Sequence, residues 1–146
     1  MVNELFPLVG HLNITLRDDA GVVKSSLDIP NLIVQVGKNF MATAVITSST
    51  SPFTNIAIGT NATAPALGDT TLGTETARVV FATSGTSTNV VTMTANFVGG
   101  VGTGTLTEAG IFNAASAGVM LSHVTYGAIV KGATDTLAVT WTITVG

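Results

Sequence analysis

The chain has 146 residues, of which 46% are hydrophobic and only 9% charged, with a formal net charge of −3. This length indicates one domain that can bury a sizeable core. The five Lys and Arg residues are scattered along the chain, which excludes a phosphate-binding surface for nucleic acid. There is no cysteine, so disulfides and thiolate metal sites are excluded. No apolar run approaches the length of a membrane span.

The low charged fraction is the compositional feature that bears most on function. Charged residues make up about 25% of a typical globular domain, and an isolated monomer usually uses them to keep its surface soluble. Here Thr, Ser, Asn and Gly must cover much of the exterior. Because interface cores are depleted in charge, we expect a subunit of a larger assembly in preference to a free monomer.

Residues 1–10 (MVNELFPLVG) are predicted to form an N-terminal arm, and residues 11–146 a single β domain. Leu5, Phe6 and Leu8 are the expected contact residues of the arm. Pro7 disfavours a regular helix or a central strand at this point. Two interpretations stay open: the arm docks on a neighbouring subunit, or it packs onto its own core.

The next segment has the pattern of a β-hairpin followed by a further strand. Residues 11–17 alternate between apolar and polar side chains, which indicates a half-buried strand. Residues 18–21 (DDAG) are a turn signal, and residues 22–27 return as the partner strand. Pro30 and Asn31 then interrupt the pattern, and residues 32–36 (LIVQV) are predicted to be a third strand.

One short helix is predicted, at residues 37–46, because apolar side chains recur there every three to four residues. The polar loop TSSTS follows. The stretch 54–79 then begins as a strand at residues 55–58 and breaks at Gly59. A long loop of small residues follows, and the chain becomes extended again from Glu75.

The second half of the chain is predicted to be a series of short strands. Residues 83–89 (TSGTSTN) are expected to be a turn and residues 99–104 (GGVGTG) a loop. The predicted strands cover residues 90–98, 106–113, 119–125, 128–130 and 137–145.

The last of these strands has the strictest alternation in the chain. Leu137, Val139, Trp141, Ile143 and Val145 share one face, and Trp141 is expected to anchor the core. The opposite face carries threonines, which fits a solvated or subunit-facing surface. Eight to ten strands at this spacing predict an all-β fold, an antiparallel β-sandwich or a jelly-roll-like arrangement.

The sequence predicts no catalytic, cofactor-binding or metal-binding residue. The Gly-rich run at residues 99–104 lacks the Lys-Ser/Thr of a phosphate-binding loop, and no helical pattern follows it. His11 and His123 have no second ligand at metal spacing, so both are expected to be ordinary surface or edge histidines. No Ser stands in the sequence context of a nucleophile elbow.

The charged residues in the middle of the chain are expected to be structural. Glu75 and Glu108 lie near apolar strands, and Arg78 is the nearest cation. Because a partly buried carboxylate needs a partner, we expect Arg78 to form an ion pair with Glu75 or Glu108 and to hold the loop to the sheet. A catalytic carboxylate pair is the alternative, without other active-site features to accompany it.

Two blocks of the sequence resemble a known group of proteins. IAIGTNATAPALGDTTLGTETARV and the later GTLTEAGIFNAASAGVMLSHV are similar to small bacteriophage virion proteins and to the attachment regions of phage tail-fibre and baseplate proteins. The resemblance extends over residues 10–145. His123 is a departure, because the pattern has Arg at this position.

The resemblance implies a virion structural protein, made in the host cytoplasm, without enzymatic activity or cofactor. The first expectation is a capsid decoration (cement) protein that ties major capsid subunits together as a homo-oligomer, with a trimer as the expected form. The second is a tail, baseplate or tail-fibre-anchoring component. The third is a carbohydrate-binding receptor module, which the scarcity of Trp and Tyr disfavours. No nucleic acid or membrane partner is implied.

Overall fold

The computed structural model describes residues 7–48 and 50–146. Nine strands and one helix form the described part of the chain, which confirms the predicted all-β class with one short helix. Their bounds, in chain order, are β1 Leu8–Arg17, β2 Val23–Ile33, α1 Gln35–Ala44, β3 Asn55–Gly59, β4 Glu75–Val80, β5 Thr83–Ser87, β6 Val90–Phe97, β7 Gly104–Phe112, β8 Met120–Lys131 and β9 Thr136–Val145.

All nine strands belong to one antiparallel sheet that curls over its own core. The spatial order is β4-β3-β7-β8-β2-β1-β9-β6-β5. Strand β2 connects the two halves of the curled sheet, because it pairs with β1 as far as Asn31 and with β8 at Leu32 and Ile33. Two residues between β4 and β5 also link the two ends of the sheet. Phe81 N–H donates to the carbonyl of Thr54, and Ala82 N–H donates to the carbonyl of Thr94.

Side chains from both halves of the sheet meet in one hydrophobic core. Trp141 is fully buried in it, as the alternation of β9 predicts. With the Asn31 amide assigned the orientation that satisfies both its oxygen and its nitrogen, the oxygen accepts hydrogen bonds from Trp141 Nε1 at 2.6 Å and from His11 N–H at 3.0 Å. A Cβ at Gly10 would overlap the Asn31 side chain. The apolar ring of Trp141 is therefore buried, and its N–H has a hydrogen-bond acceptor.

The first hairpin turn forms as its sequence predicts. Asp18 Oδ1 accepts hydrogen bonds from Ala20 N–H at 3.0 Å and Val22 N–H at 2.9 Å, and Gly21 adopts a φ of 82°. An aspartate whose side chain bonds the backbone just ahead of it, followed by a glycine at positive φ, is a common turn solution.

Three secondary-structure predictions after this turn are wrong. The third strand at 32–36 does not exist, since β2 continues through Pro30 to Ile33 and α1 begins at Gln35. Pro30 has no backbone N–H, but it lies outside the part of β2 that pairs with β8. Among the described residues, β2 pairs at this point with β1 alone, so Pro30 leaves no hydrogen bond to β8 unmade. Residues 83–87 are strand β5 rather than part of a turn, and the segments 119–125 and 128–130 are one strand, β8.

The boundary of the predicted N-terminal arm also changes. Leu8 already belongs to β1, where it pairs with Val145 of β9, and Gly10 pairs with both Ile143 and Asn31. Residues 8–10 are thus part of the sheet. The other two expected arm contacts, Leu5 and Phe6, lie outside the described residues.

Helix α1 packs on β8 through a glycine. Gly37 is its buried residue, and a Cβ there would contact the backbone of Leu121. Val34 N–H, just before the helix, donates to Leu121 at 3.1 Å. In residues 7–48 and 50–146, no helix has the length and apolar character needed to cross a membrane.

Candidate functional site: a loop clamped by buried charges

The most unusual feature of the fold is the loop of residues 60–74, which joins β3 to β4 and is called the clamped loop below. It has almost no regular secondary structure, yet it is fastened at both ends by one side chain. Glu108 of β7 is 0% exposed and points towards the start and the end of this loop.

Glu108 accepts hydrogen bonds from three backbone N–H groups of the clamped loop. Oε1 accepts from Thr74 at 2.7 Å and from Asn61 at 3.2 Å, and Oε2 accepts from Gly73 at 2.9 Å. A buried carboxylate is tolerated only when its acceptor sites are filled. These bonds close the loop, because Asn61 and Gly73 lie at its opposite ends.

Two glycines make room for this carboxylate and for the closure of the loop. A Cβ at Gly59 would overlap Glu108 Oε1 and the carbonyl of Thr74, and a Cβ at Gly73 would overlap the Asn61 side chain. The close approach of the loop ends therefore requires glycine at both positions.

His123 of β8 gives Glu108 a fourth partner. Its Nε2 lies 3.1 Å from Glu108 Oε2, and its Nδ1 lies 2.8 Å from Asp69 Oδ2 in the middle of the clamped loop. The imidazole of His123 thus lies between two carboxylates. The prediction of an ordinary surface or edge histidine is wrong here, because His123 is 4% exposed.

Asp69 holds the middle of the clamped loop in place. Its Oδ2 also accepts a hydrogen bond from Ala66 N–H at 2.8 Å. Partial burial pushes the pKa of Asp69 upwards, but the bond from Ala66 and the hydrogen bond and charge of His123 outweigh this effect. The pKa of Asp69 therefore lies below its usual value.

An apolar plug completes the attachment of the loop. Leu72 is 6% exposed and packs with Ala57, Phe112 and Met120. Gly110 leaves the space for it, since a Cβ there would approach the Leu72 side chain to 3.0 Å. The start of α1 adds a further tie, because Gln35 N–H donates to Leu67 at 2.8 Å.

Arg78 forms a second clamp next to the first. It makes a bidentate pair with Glu75, with Nη2 2.6 Å from Oε2 and Nε 2.9 Å from Oε1. Of the two partners named from the sequence, Arg78 is paired with Glu75, whereas Glu108 binds the clamped loop and His123. Arg78 Nη1 also donates to the carbonyls of Ala114 and Ala117 at 2.9 and 2.8 Å.

The Arg78 side chain lies on an aromatic ring as well. Its guanidinium carbon is 3.7 Å from the centroid of Phe112, and only 7% of the side chain is exposed. Such stacking suits the weakly hydrated, planar guanidinium. Arg78 thereby fastens β4 to the loop between β7 and β8.

A third charged cluster, formed by Lys24, Lys131 and Asp135, is not indicated by the sequence patterns. The Asp135 carboxylate is 4% exposed, and its Oδ2 accepts from Lys24 Nζ at 2.6 Å and from Gly132 N–H at 2.7 Å. The hydrogen bond from Lys24 is the largest effect that lowers the pKa of Asp135. Lys131 is 1% exposed, and Nζ donates to Val98 at 3.0 Å.

The remaining sequence-derived candidates have simple positions. His11 is half exposed and pairs across strands with Asp28 at 2.7 Å. The Gly-rich run at 99–104 joins β6 to β7 and enters β7 at Gly104. Among the described residues, no group of three or more His, Asp or Glu side chains is placed to hold a metal ion.

The clamped loop bounds a polar pocket of about 410 Å³, lined by residues that include Asn61, Thr70, Asp69 and His123. Among the described residues, the ionisable side chains in its lining are Asp69 and His123, which bond each other, and His123 also bonds Glu108. These ionisable groups therefore attach the clamped loop to strands β7 and β8.

The fold and the site together define an all-β domain in which charged residues fix long loops to a curled sheet. A comparison with family models, curated proteins and solved structures found no match to this chain.

Proposed function

We propose that this protein is a non-enzymatic structural subunit of a bacteriophage particle, acting first as a capsid decoration (cement) protein. The observation that carries the proposal is the contact between the two sequence blocks that resemble phage proteins. Glu108 of TEAGIFN binds the backbone of GTN and LGT in the first block.

A charged residue of each block binds the backbone of the other. Arg78 of the first block donates to the carbonyls of Ala114 and Ala117 in the second, as Glu108 of the second accepts from the backbone of the first. A chance similarity would not require charged positions of two separate blocks to fasten each other's backbone. This supports the view that the resemblance reflects a shared structural unit.

The same contacts support a non-enzymatic role. A general base must be able to reach substrate and exchange a proton with it. Both ring nitrogens of His123 face carboxylates, and the acceptor atoms of Glu108 face four donors. The three groups are more suited to holding a loop than to moving a proton.

The outer face of β6 and β9 supports assembly. Thr92 lies opposite Thr142, and Thr94 opposite Thr140, so threonines form an uncharged, pleated patch. Such a surface can be buried against other protein without leaving a charge unpaired. Strands β4 and β5 are the terminal strands of the sheet, and within residues 7–48 and 50–146 each has a sheet partner on one side only. Both features would allow the homo-oligomer, a trimer, that we expect.

A tail, baseplate or fibre-anchoring location is the second candidate, because the same two blocks resemble tail-fibre attachment regions. The carbohydrate-binding alternative loses support: Trp141 is fully buried, and Tyr126 is 9% exposed with its hydroxyl bonded to the Glu108 carbonyl. Neither ring can act as a platform for a sugar.

Copy number in purified particles tests the proposal. The protein is quantified against the major capsid protein by mass spectrometry of particles from a phage that encodes this chain. Decoration of the shell predicts on the order of hundreds of copies per particle, because capsid symmetry repeats each site. About a dozen copies or fewer would place the protein in the tail. Its absence from particles would contradict the virion role itself.

A further inference from the structure

An apolar pocket of about 480 Å³ opens between α1, the segment before β3 and the strands β5, β6 and β9. Its walls include Phe40, Met41, Phe53, Phe81, Met93 and Ile143. Phe40 and Phe53 pack edge to face, with ring centroids 4.9 Å apart. Phe40, Met41, Phe53 and Phe81 are only partly buried.

A pocket with these walls needs an apolar occupant. None of its lining residues, in the part of the chain that the structure describes, is charged. Large exposed apolar surfaces are uncommon on proteins unless something covers them. The occupant must therefore supply apolar side chains and need not supply a charge.

The N-terminal end of the described chain lies next to this pocket. Leu8 pairs with Val145, which lines the pocket, and Gly146 N–H donates to the Pro7 carbonyl at 3.0 Å. Pro7 therefore lies beside its wall. Four of the six residues before Pro7 are apolar: Met1, Val2, Leu5 and Phe6.

Six residues are long enough to cross the opening. The strand order β1-β9-β6-β5 places β5 three strand spacings from β1, or about 14 Å. A six-residue segment spans about 20 Å when extended. The far wall of the pocket, which includes Ser84 and Thr86 of β5, is thus within reach.

We propose that residues 1–6 of the same chain occupy this pocket, with Leu5 and Phe6 as the inserted side chains. Attachment at Pro7 keeps the segment at a high effective concentration near its own pocket, which favours it over the same segment of another molecule. The proposal does not depend on a virion role, because it concerns the free protein.

The absence of cysteine allows a direct test in the full chain. The double variant Asn3→Cys/Thr86→Cys leaves Leu5 and Phe6 unchanged and places one thiol on β5. Treatment of the dilute protein with a short bismaleimide should link the two thiols within one chain, which mass spectrometry of the intact and digested protein detects. The matched control, Asn3→Cys/Thr134→Cys, should not link within the chain, because Thr134 precedes β9, about 30 Å from Val145 at its other end.

Three results would overturn the proposal. Linked dimers of the Thr86→Cys variant would make a second copy the occupant, equal linking in both variants would show no preferred position, and no linking would leave the pocket without this segment. As a second measurement, Phe6→Ser should raise the fluorescence of a hydrophobic dye, whereas Val130→Ser, at an exposed site on β8, should not. Unchanged dye fluorescence in Phe6→Ser would also contradict the proposal.

Discussion

Glu108 and His123 face each other across strands β7 and β8, with Oε2 3.1 Å from Nε2 and the carboxylate fully buried. The strands pair directly beside this contact, at Gly110 with His123 and at Glu108 with Thr125. The two side chains are therefore diagonal neighbours on one face of the sheet. From this position they hold the clamped loop, Glu108 at its ends and His123 at its middle through Asp69.

The first prediction concerns the charge of Glu108. Glu108→Gln keeps the shape of the side chain but turns one acceptor atom into a donor that faces N–H groups. We expect a loss of about 3 kcal/mol in the free energy of unfolding, measured in urea. The control Asp28→Asn removes an exposed pair with His11 and should cost less than about 1 kcal/mol. Equal stabilities of the two variants would contradict the role of Glu108.

The second prediction concerns acid pH and Asp69. Because the folded-state pKa of Asp69 is lowered, its carboxylate stabilises the fold above the unfolded-state pKa, and this stabilisation is lost as pH falls through the folded pKa. Asp69→Asn should therefore be less stable than the wild type at pH 7, and the difference should shrink below about pH 4. Urea unfolding at a series of pH values measures this. A difference independent of pH would argue against an ionised Asp69.

The third prediction concerns Arg78. Arg78→Met removes four hydrogen bonds and a charge, so we expect a loss of about 2 kcal/mol and faster amide exchange at Val119, whose N–H closes the adjacent loop onto Asn113. Arg78→Lys should recover only part of the loss, because an ammonium lacks the planar fork. Full recovery by Lys would show that charge alone matters.

The fourth prediction concerns the buried Lys131. Burial lowers its pKa, and the nearby Asp135 only partly opposes this effect. The unfolded state then binds more protons between the folded and unfolded pKa values, so Lys131 makes stability rise with pH in that window. Lys131→Met should lack this rise, and at pH 7 it should be within about 1 kcal/mol of the wild type or more stable. A large loss at pH 7 would show that the bond to Val98 dominates.

The strands with one clear alternation could be predicted from the sequence. In β9 every second residue from Leu137 is apolar, and the burial of Trp141 follows directly. Strand β8 behaves differently, because the run from Met120 to Val124 is buried on both faces. Alternation cannot reveal such a strand, and this is why His123 was expected at a surface.

From the sequence, the partner of Arg78 could be narrowed to Glu75 or Glu108, because Arg78 is the nearest cation to these two carboxylates. The partners of Glu108 could not be found in this way. Asn61, Gly73 and Thr74 contribute backbone N–H groups, which every residue except proline carries. Only the closure of the loop in space selects these three donors.

Charged side chains of two distant sequence blocks act together as one structural clamp. Amide hydrogen exchange at Gly73 and Thr74, followed by NMR under native conditions in the wild type and in Glu108→Gln, tests this clamp. We expect both amides to be protected in the wild type and to exchange much faster in Glu108→Gln, while the amides of β9 change only by the loss in global stability. Unprotected Gly73 and Thr74 in the wild type, or equal protection in both proteins, would contradict the clamp.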